Sequence, residues 1–452
     1  MSNCVVRFGG NSLSDYSTLE AFSSLLSNSA NKTIVVVSAV EEIQQPIEQG
    51  LQLLINGSST TGQVIDQINT TVLQKLRVFG VDELNESLKA EIGNLEKLLK
   101  GIEFTGDFSL PLKDQVISYS ERITTAILQL FLSKNQLDAT ILYPENLELT
   151  VTDEYGNATV LFEETEGVKH SLPKGIYLIP GSYGITKSGR IARLGKHSAD
   201  YSAAAITRLT GADTLELWEL DKEFKTCDLD SVTDASLIAR LTYAEASELS
   251  YFSEQSVNPR IVEPLTDRHI PIHIFRLGDK GKQLTTIINS ESLVSPNVVK
   301  SVVHTNQIAV LKLNGPGVGF KPGILAKVTS AFYQSGINIR SVITSQVSIN
   351  IILNKNEIAR AKKICSELRL SSVNEIVIED KVSLIAVVGH GMQLHHGVSA
   401  RLFTAVAQHK INVLLSGSGV SDLVSYLIVD QHDTPKAIKE IHNIFFNETI
   451  NP

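Results

Sequence analysis

The strongest constraint on the fold is an internal repeat in the last third of the sequence. The segment that begins at Gly323 and continues to Val342 recurs from Gly397 to Leu415, with an offset of 74 residues between the two glycines. Each copy predicts a strand, a helix beginning at the glycine, two alternating strands and a second helix. Two copies are too few for a solenoid, so we expect a pair of α+β modules used for ligand binding or as an interface.

The N-terminus carries a pattern that is typical of a phosphate site. An apolar run from Val5 to Phe8 contains Arg7, and Gly9 and Gly10 follow it directly. Adjacent glycines let the backbone turn tightly enough for several N–H groups to point at one anion, and a helix just beyond adds its positive end. Taken alone this is a weak signal, because a strand followed by two glycines is often only a tight turn.

The next segments predict a strand–helix–strand unit. Residues Ser17 to Glu20 fit a capping box, and apolar residues follow at helical spacing. Residues Thr33 to Ala39 form a largely apolar run of the kind found inside parallel sheets. A strand, a helix and a second strand in this order indicate a doubly wound α/β domain.

Length and charge exclude several classes of protein. A chain of 452 residues is too long for one core, and its net charge of −9 argues against nucleic-acid or membrane-surface partners. Cys4, Cys227 and Cys365 form no CxxC pair, so we expect neither disulfides nor zinc, and no spacing predicts a metal site. The N-terminus lacks a signal-peptide pattern and the apolar runs are strand-sized, so we expect a cytoplasmic protein.

Polar candidates cluster in three later segments. Ser120-Glu121-Arg122 predicts the start of a helix, with the carboxylate in its first turn. Residues 180–190 form a turn-rich loop of the kind that carries sites. Lys196 and Asp200 precede a helix of small residues, where Asp200 or Ser198 is either a plain N-cap or part of a site at the helix N-terminus.

Taken in order, these motifs resemble the aspartokinases, which have the amino-acid kinase fold. Arg7-Phe8-Gly9-Gly10-Asn11-Ser12 is similar to the Lys-Phe-Gly-Gly-Thr-Ser start of that family. Further matching segments follow in the family's order, namely Ser38-Ala39, Ser120-Glu121-Arg122, Gly189-Arg190, Leu194-Gly195, Asp200-Tyr201, Trp218 and residues 244–252. The repeated modules resemble the family's two ACT domains. No homoserine dehydrogenase domain follows them, so the resemblance is to the monofunctional form.

The resemblance implies an α/β fold, in which a three-layer amino-acid kinase domain with a mainly parallel sheet is followed by two α+β ACT domains. The domain boundaries that we expect are 1–290 for the kinase-type domain, 291–304 for a linker, 305–380 for the first ACT domain and 381–452 for the second.

The resemblance also implies an activity and the residues that serve it. Aspartokinases use ATP and Mg²⁺ to phosphorylate the side-chain carboxylate of L-aspartate, giving 4-phospho-L-aspartate, in the first step of lysine, threonine and methionine biosynthesis. The implied residues are Arg7 and Asp200 for catalysis; Gly9, Gly10, Ser12, Glu219, Lys225 and Gln255 for phosphate or nucleotide; and Ser38, Gln44, Glu121 and Lys196 for aspartate.

Several of these positions differ from the family's pattern. Arg7 replaces the lysine that steadies the transferring phosphoryl group, and Lys196 replaces the arginine that grips the substrate carboxylate. In the nucleotide segment, Asp230 replaces an arginine and Gln255 a lysine. Two interpretations follow: a working kinase with rebuilt phosphate contacts, or a catalytically impaired paralogue that acts as an amino-acid-binding or regulatory partner protein.

The ACT pair implies regulation. By the resemblance, an effector amino acid, lysine or threonine, binds where modules pair, at Asn338, Ile339, Ser345 and Gln346, and the protein is a homodimer through these modules. Gln346 stands where lysine-sensitive members often carry glutamate, so the identity of the effector stays open, as does a purely dimerising role.

Overall fold

The computed structural model of the chain describes residues 3–27, 32–81, 83–106, 108–165, 172–219, 223–253, 257–278, 281–291 and 298–447. The chain forms two compact units. Unit 1 comprises residues 1–224, 237–247 and 256–293, and unit 2 comprises residues 225–236, 248–255 and 294–452. None of the described helices is both long and apolar enough to span a membrane.

Unit 1 is built from strands and helices that alternate along the chain. Its strands are β1 (Cys4–Gly9), β2 (Thr33–Ser38), β3 (Ala139–Ile141), β4 (Thr150–Val151), β5 (Ile176–Pro180), β6 (Tyr183–Thr186), β7 (Ile191–Arg193), β8 (Thr214–Glu219), β9 (Arg240–Thr242), β10 (Ile272–Gly278) and β11 (Gly281–Asn289). Its helices are α1 (Tyr16–Ser27), α2 (Glu41–Ile55), α3 (Thr61–Val78), α4 (Glu86–Thr105), α5 (Leu110–Lys134), α6 (Phe162–Thr165), α7 (Ala199–Thr210) and α8 (Tyr243–Phe252), which continues into unit 2.

The main sheet of unit 1 is mainly parallel, which confirms the fold class predicted from the sequence. In the described part of the chain its strands run in the order β3-β5-β2-β1-β8-β10-β11-β9, with β10 and β11 antiparallel. Val6 and Phe8 of β1 pack into a core shared with α1 to α5. Since side chains alternate along a strand, the opposite face is covered by α7, which contacts β1, β2 and β8. Unit 1 therefore has three layers.

Two local predictions in unit 1 are wrong. Helix α1 begins at Tyr16, and its first turn is capped by Asp15, whose Oδ2 accepts the N–H of Thr18 at 2.8 Å, so there is no capping box at Ser17. Helix α5 begins at Leu110 rather than near Ser120, with a proline in its first turn. Glu121 therefore lies in the middle of a helix of 25 residues, where its side chain is buried.

Unit 2 contains the two repeated modules. Its strands are β12 (Ser301–Thr305), β13 (Ile308–Asn314), β14 (Ile339–Thr344), β15 (Ser348–Asn354), β16 (Glu375–Glu379), β17 (Val382–Val388), β18 (Val413–Ser421) and β19 (Val424–Asp430). Its helices are α9 (Ile324–Gln334), α10 (Ile358–Glu367), α11 (Val398–Gln408) and α12 (Thr434–His442). The described strands form two antiparallel sheets, in the orders β14-β15-β13-β16 and β12-β17-β19-β18.

The predicted repeat is confirmed in detail. Gly323 and Gly397 directly precede α9 and α11, and both have a φ of 88°, a left-handed conformation that favours glycine. Each module then continues through two strands and a second helix. The edge strand β12 pairs with β17 of the second module. It comes from a segment whose sequence showed no periodic pattern, mostly inside the predicted linker.

Candidate active site

The candidate site of unit 1 lies where neighbouring parallel strands end. Gly9, the last residue of β1, is in register with Ser38, the last residue of β2. The N–H of Gly181, just after β5, donates to the carbonyl of Val37 at 2.9 Å. The carboxyl ends of parallel strands meet at one edge of a sheet, where α/β proteins bind their ligands. The structure thus brings the predicted phosphate turn and Ser38 together.

The backbone at Gly9 leaves no room for a side chain. Its φ is 147°, and a Cβ atom would lie 2.6 Å from the backbone oxygen and 2.7 Å from the backbone nitrogen of Ser38. Gly10 has a φ of 58° and open space around its Cα, since a Cβ atom there would lie 3.8 Å from its nearest neighbour, Oγ of Ser38. Ser12 is fully buried in the short 3-10 turn Gly10–Leu13. This tight turn leaves backbone room for the close approach of a phosphate group.

Arg7, which lies on β1 two residues before this turn, forms a buried ion pair with Asp200. Nε of Arg7 lies 2.8 Å from Oδ1 of Asp200. The second carboxylate oxygen of Asp200 accepts the N–H of Asn258 at 2.9 Å. Ser198 occupies the N-cap position of α7 without making a side-chain capping bond. Asp200 is the second residue of α7, so it is not the N-cap residue, and its role in a site stays a prediction.

Glu121 lies on α5 and faces a cation. Its Oε1 is 3.6 Å from Nη2 of Arg193, and its side chain is only 3% exposed. Burial raises the pKa of this carboxyl, and the Arg193 guanidinium and the Ser182 hydroxyl partly oppose that effect. A buried carboxylate next to one cation can bind a ligand ammonium, because such a ligand replaces the hydration that the charge has lost.

A cavity of about 330 Å³ lies beside this pair. Its polar lining residues are Glu48, Gln52, Lys113, Asp114, Tyr155, Arg193 and Lys196. Lys196 is exposed at the rim. Gln44 does not line the cavity, but its Nε2 donates to Oε1 of the lining residue Glu48 at 2.7 Å. The volume suits a small ligand, and the mixed charges suit a ligand that carries both signs.

Two non-glycine residues near the site have left-handed backbones. Ser182, which follows β5, has a φ of 69°, and His197 has a φ of 53°. The N–H of Ser182 donates to Oγ of Ser202 at 3.1 Å, and its carbonyl accepts the N–H of Leu194 at 3.0 Å. Such conformations cost free energy and persist where surrounding contacts hold them, which is common at functional sites.

Sequence reasoning missed two residues of this cavity, Asp114 and Arg193. Oδ2 of Asp114 accepts the backbone N–H groups of Gly156 at 2.7 Å and Arg193 at 2.8 Å. Asp114 precedes Glu121 by seven residues, which places both on one face of a helix, and this spacing was a usable signal. Arg193 had no comparable signal, because β7 is only three residues long.

The other three residues predicted for the nucleotide, Glu219, Lys225 and Gln255, stay predictions. Glu219 ends β8, but its side chain is not among those described, and Gln255 lies outside the described residues. Lys225 belongs to unit 2, where its carbonyl accepts the Ser301 hydroxyl at 2.6 Å. In that unit, Oδ1 of Asp228 lies 2.8 Å from Nδ1 of His304, so the segment around Asp228 is held against β12.

The four predicted regulatory residues lie at the two ends of one strand. Asn338 and Ile339 are at the start of β14, and Ser345 and Gln346 follow its end. Ile339 and Ser345 are six residues apart along the chain, which is roughly 20 Å in an extended strand. Within one module they cannot contact the same small ligand. In the described part of the chain, no group of three or more His, Cys, Asp or Glu side chains is placed to hold a metal ion.

Comparison with protein families gives two matches. The model of the amino acid kinase family matches residues 3–276. A model of the ACT domain matches residues 385–445.

Similar proteins are found among both sequences and structures. The chain is 24% identical to a bifunctional aspartokinase/homoserine dehydrogenase of Buchnera aphidicola over 98% of its own length but only 57% of that protein. It is also 24% identical to Aspartokinase 3, chloroplastic, of Arabidopsis thaliana, over 98% of this chain and 81% of the relative. The crystal structure of E. coli aspartokinase III in complex with aspartate and ADP has a TM-score of 0.80 at 20% identity, covering 98% of this chain and all of that one. That likeness concerns the fold.

Proposed function

Because this chain belongs to the amino acid kinase family, we propose that it is an aspartokinase, which transfers the γ-phosphate of ATP to the side-chain carboxylate of L-aspartate. The product is 4-phospho-L-aspartate. The observation that carries the proposal is the buried pair of Arg7 and Asp200, in which Arg7 lies on β1 two residues before the Gly9–Gly10 turn. The relatives named aspartokinase, which align along 98% of the chain, support the same activity.

Phosphoryl transfer to a carboxylate depends on positive charge at the moving group and on placement of the reactants. Arg7 supplies a permanent charge, since a guanidinium is not deprotonated in proteins. Asp200 pairs with the guanidinium and holds it in place, so Asp200 is a positioning residue. The amides of Gly9 and Gly10 and the hydroxyl of Ser12 would donate to phosphate oxygens.

ATP and Mg²⁺ are compatible with these residues. The glycine turn and Arg7 would hold the triphosphate, where Mg²⁺ bound by phosphate oxygens neutralises charge that develops during transfer. We retain Glu219, Lys225 and Gln255 as proposed contacts of the nucleotide, on the strength of the family resemblance.

The proposed aspartate site is the cavity beside α5. Glu121 would bind the ammonium group, and Lys196 would face a carboxylate from the rim. Ser38 and Gln44 would contact the substrate from the β2 end and from α2. The mixed charge of the lining, with Lys113 and Asp114 in addition, supports an amino acid with a second carboxylate.

We also propose regulation through unit 2. An effector amino acid, lysine or threonine, would bind Asn338, Ile339, Ser345 and Gln346. Because these residues lie at opposite ends of β14, one ligand would need residues from two paired copies, which supports a homodimer through the modules. We propose that the protein works in the cytoplasm, at the first step of lysine, threonine and methionine biosynthesis. Isothermal titration with lysine, threonine and methionine tests the proposed binding of an effector to unit 2. An absence of heat with all three amino acids would favour a purely structural role for this unit.

The alternative, a catalytically impaired paralogue, is not favoured, because a buried charge pair remains at the phosphate turn. The deciding experiment is ADP release by the purified chain at millimolar ATP and Mg²⁺. We expect release that requires L-aspartate and that L-glutamate does not replace. ADP release that is unaffected by aspartate, or no release at all, would contradict the proposed activity.

A further inference from the structure

Arg193 occupies a position that the backbone fixes on both sides. It is the last residue of β7. Its N–H donates to Oδ2 of Asp114 at 2.8 Å, and its carbonyl accepts the N–H of Ala158 at 2.8 Å. The side chain therefore starts from a rigid point on the wall of the cavity. A group that must hold a ligand in one orientation benefits from such support.

The guanidinium of Arg193 can donate further hydrogen bonds. The side chain is 11% exposed, and within the described residues its Nε donates no hydrogen bond. Nη2 is 3.6 Å from Oε1 of Glu121, which is too long for a hydrogen bond. Oε2 of Glu121 likewise accepts no well-formed hydrogen bond from the described part of the chain. A buried donor and a buried acceptor thus lie side by side, each able to take a further partner.

Lys196 is the weaker candidate for binding a carboxylate in the same cavity. It stands where the resemblance locates the arginine that grips the substrate, but its side chain is exposed at the rim. An ammonium on a flexible stem gives a point charge, whereas a guanidinium offers a planar pair of donors that matches a carboxylate. Arg193 offers that pair from inside the cavity, three residues earlier in the chain.

We propose that Arg193 binds the α-carboxylate of the amino-acid substrate, with Glu121 beside it binding the α-ammonium group. The inference rests on the proposed aspartokinase activity. An α-amino acid carries its ammonium and carboxylate on one carbon, so an adjacent cation and anion recognise it as a unit. Arg193 is thereby the residue that selects free α-amino acids over derivatives blocked at the α-carboxylate.

The test compares L-aspartate with its α-amide, which keeps the ammonium and the side-chain carboxylate but loses the α-carboxylate charge. Arg193→Met should raise the KM for aspartate about 10- to 100-fold. The same substitution should change the KM for the α-amide less than about 3-fold and leave the KM for ATP unchanged. Lys196→Met is the comparison variant: any loss that it causes should be equal for aspartate and the α-amide, so the preference for aspartate should be preserved. Arg193→Lys should recover part of the preference for aspartate over the α-amide. This second variant keeps the proposal testable if Arg193→Met folds poorly.

The outcomes separate the two proposals. Wild-type protein that neither binds nor phosphorylates aspartate overturns the proposed activity, and the role of Arg193 falls with it. Active wild-type protein whose Arg193→Met variant weakens both substrates equally, or neither, overturns the role of Arg193 alone. Loss of the preference in Lys196→Met, with the preference intact in Arg193→Met, assigns the carboxylate to the rim lysine instead.

Discussion

Nε of Arg7 lies 2.8 Å from Oδ1 of Asp200, and the two side chains are 9% and 2% exposed. Arg7 belongs to β1, and Asp200 lies in the first turn of α7. Because Oδ2 of Asp200 also accepts the N–H of Asn258 at 2.9 Å, the carboxylate cannot move without breaking a second contact. The charge of Arg7 is therefore held in one place beside the glycine turn.

Removing the charge of Arg7 should abolish most of the activity. Arg7→Ala is expected to lower kcat by about 100-fold or more, as removal of one preorganised charge-stabilising group does in other enzymes. Arg7→Lys should retain measurable activity, because an ammonium can still pair with Asp200. Steady-state kinetics with both variants test this. Equal activity of Arg7→Ala and wild type would show that the guanidinium does not act on the reacting phosphate.

Removing the charge of Asp200, the other partner of the pair, should also lower the stability of the fold. Asp200→Asn leaves the Arg7 guanidinium buried without its counter-ion, which costs about 3–5 kcal/mol. Unfolding in urea can be followed by fluorescence, since Trp218 is the sole tryptophan of the chain and packs edge-on against Phe22 of α1 in the core of unit 1. A decrease in the free energy of unfolding of less than about 1 kcal/mol would indicate that solvent screens the ion pair.

Gly9 and Gly10 offer a matched pair of substitutions. Gly9→Ala should destabilise unit 1 by about 3 kcal/mol or more, because its Cβ would meet backbone atoms of Ser38. Gly10→Ala adds a left-handed alanine in open space and should cost about 1–2 kcal/mol. The Trp218 signal measures both variants. Equal losses would mean that the close approach of β1 and β2 is not what requires glycine at residue 9.

Acid should weaken aspartate binding earlier than an ordinary carboxyl would. Burial raises the pKa of Glu121, and only its ionised form attracts the substrate ammonium. As the pH falls, kcat/KM for aspartate should therefore decline at a pH above the usual carboxyl range. In Glu121→Gln, kcat/KM should be low throughout and should lack this decline. A wild-type profile identical in shape to that of Glu121→Gln would contradict the role.

His442 should make unit 2 sensitive to acid. Its side chain on α12 is 1% exposed, with Nε2 3.0 Å from Oγ1 of Thr226. Burial lowers the pKa of His442, and the partly exposed carboxylate of Asp234 opposes this only in part. The unfolded chain then binds more protons than the folded one, so stability is present above the ordinary histidine pKa and is lost as the pH falls through it.

Hydrogen exchange of peptides covering α12 measures this effect. Protection should drop between about pH 7.5 and about pH 5.5 in the wild type, and the drop should shrink in His442→Gln. His432→Gln is the control, because that histidine is 94% exposed. If both variants follow the wild-type pH dependence, another group is responsible.

Local sequence patterns were enough to predict the first strands, β1 and β2, and the repeated module. The β1 to β2 unit was readable because apolar runs and adjacent glycines are local signals. The repeat was readable because Gly323 and Gly397 meet the same backbone requirement in both copies, with a φ of 88°. The fold class followed from these two features and from the ordered motifs.

The remaining features depend on contacts between distant residues. The burial of Glu121 was missed because it depends on how the middle of α5 packs, although the proline in the first turn marked the start of this helix at Leu110. Strand β12 pairs with a segment about 80 residues later in the chain. Arg193 joins Glu121 and Asp114 through tertiary packing alone. The position of segment 225–236 in unit 2 likewise has no local cause.

The most direct measurement of the proposed activity is detection of its product. Purified protein is incubated with L-aspartate, ATP, Mg²⁺ and hydroxylamine, which converts an acyl phosphate to a stable hydroxamate, and the mixture is analysed by mass spectrometry. We predict aspartyl β-hydroxamate in many-fold excess over the protein, with little or none from Arg7→Ala. Protein that is folded and binds ATP with Mg²⁺, but forms no hydroxamate above the Arg7→Ala level, would contradict the account.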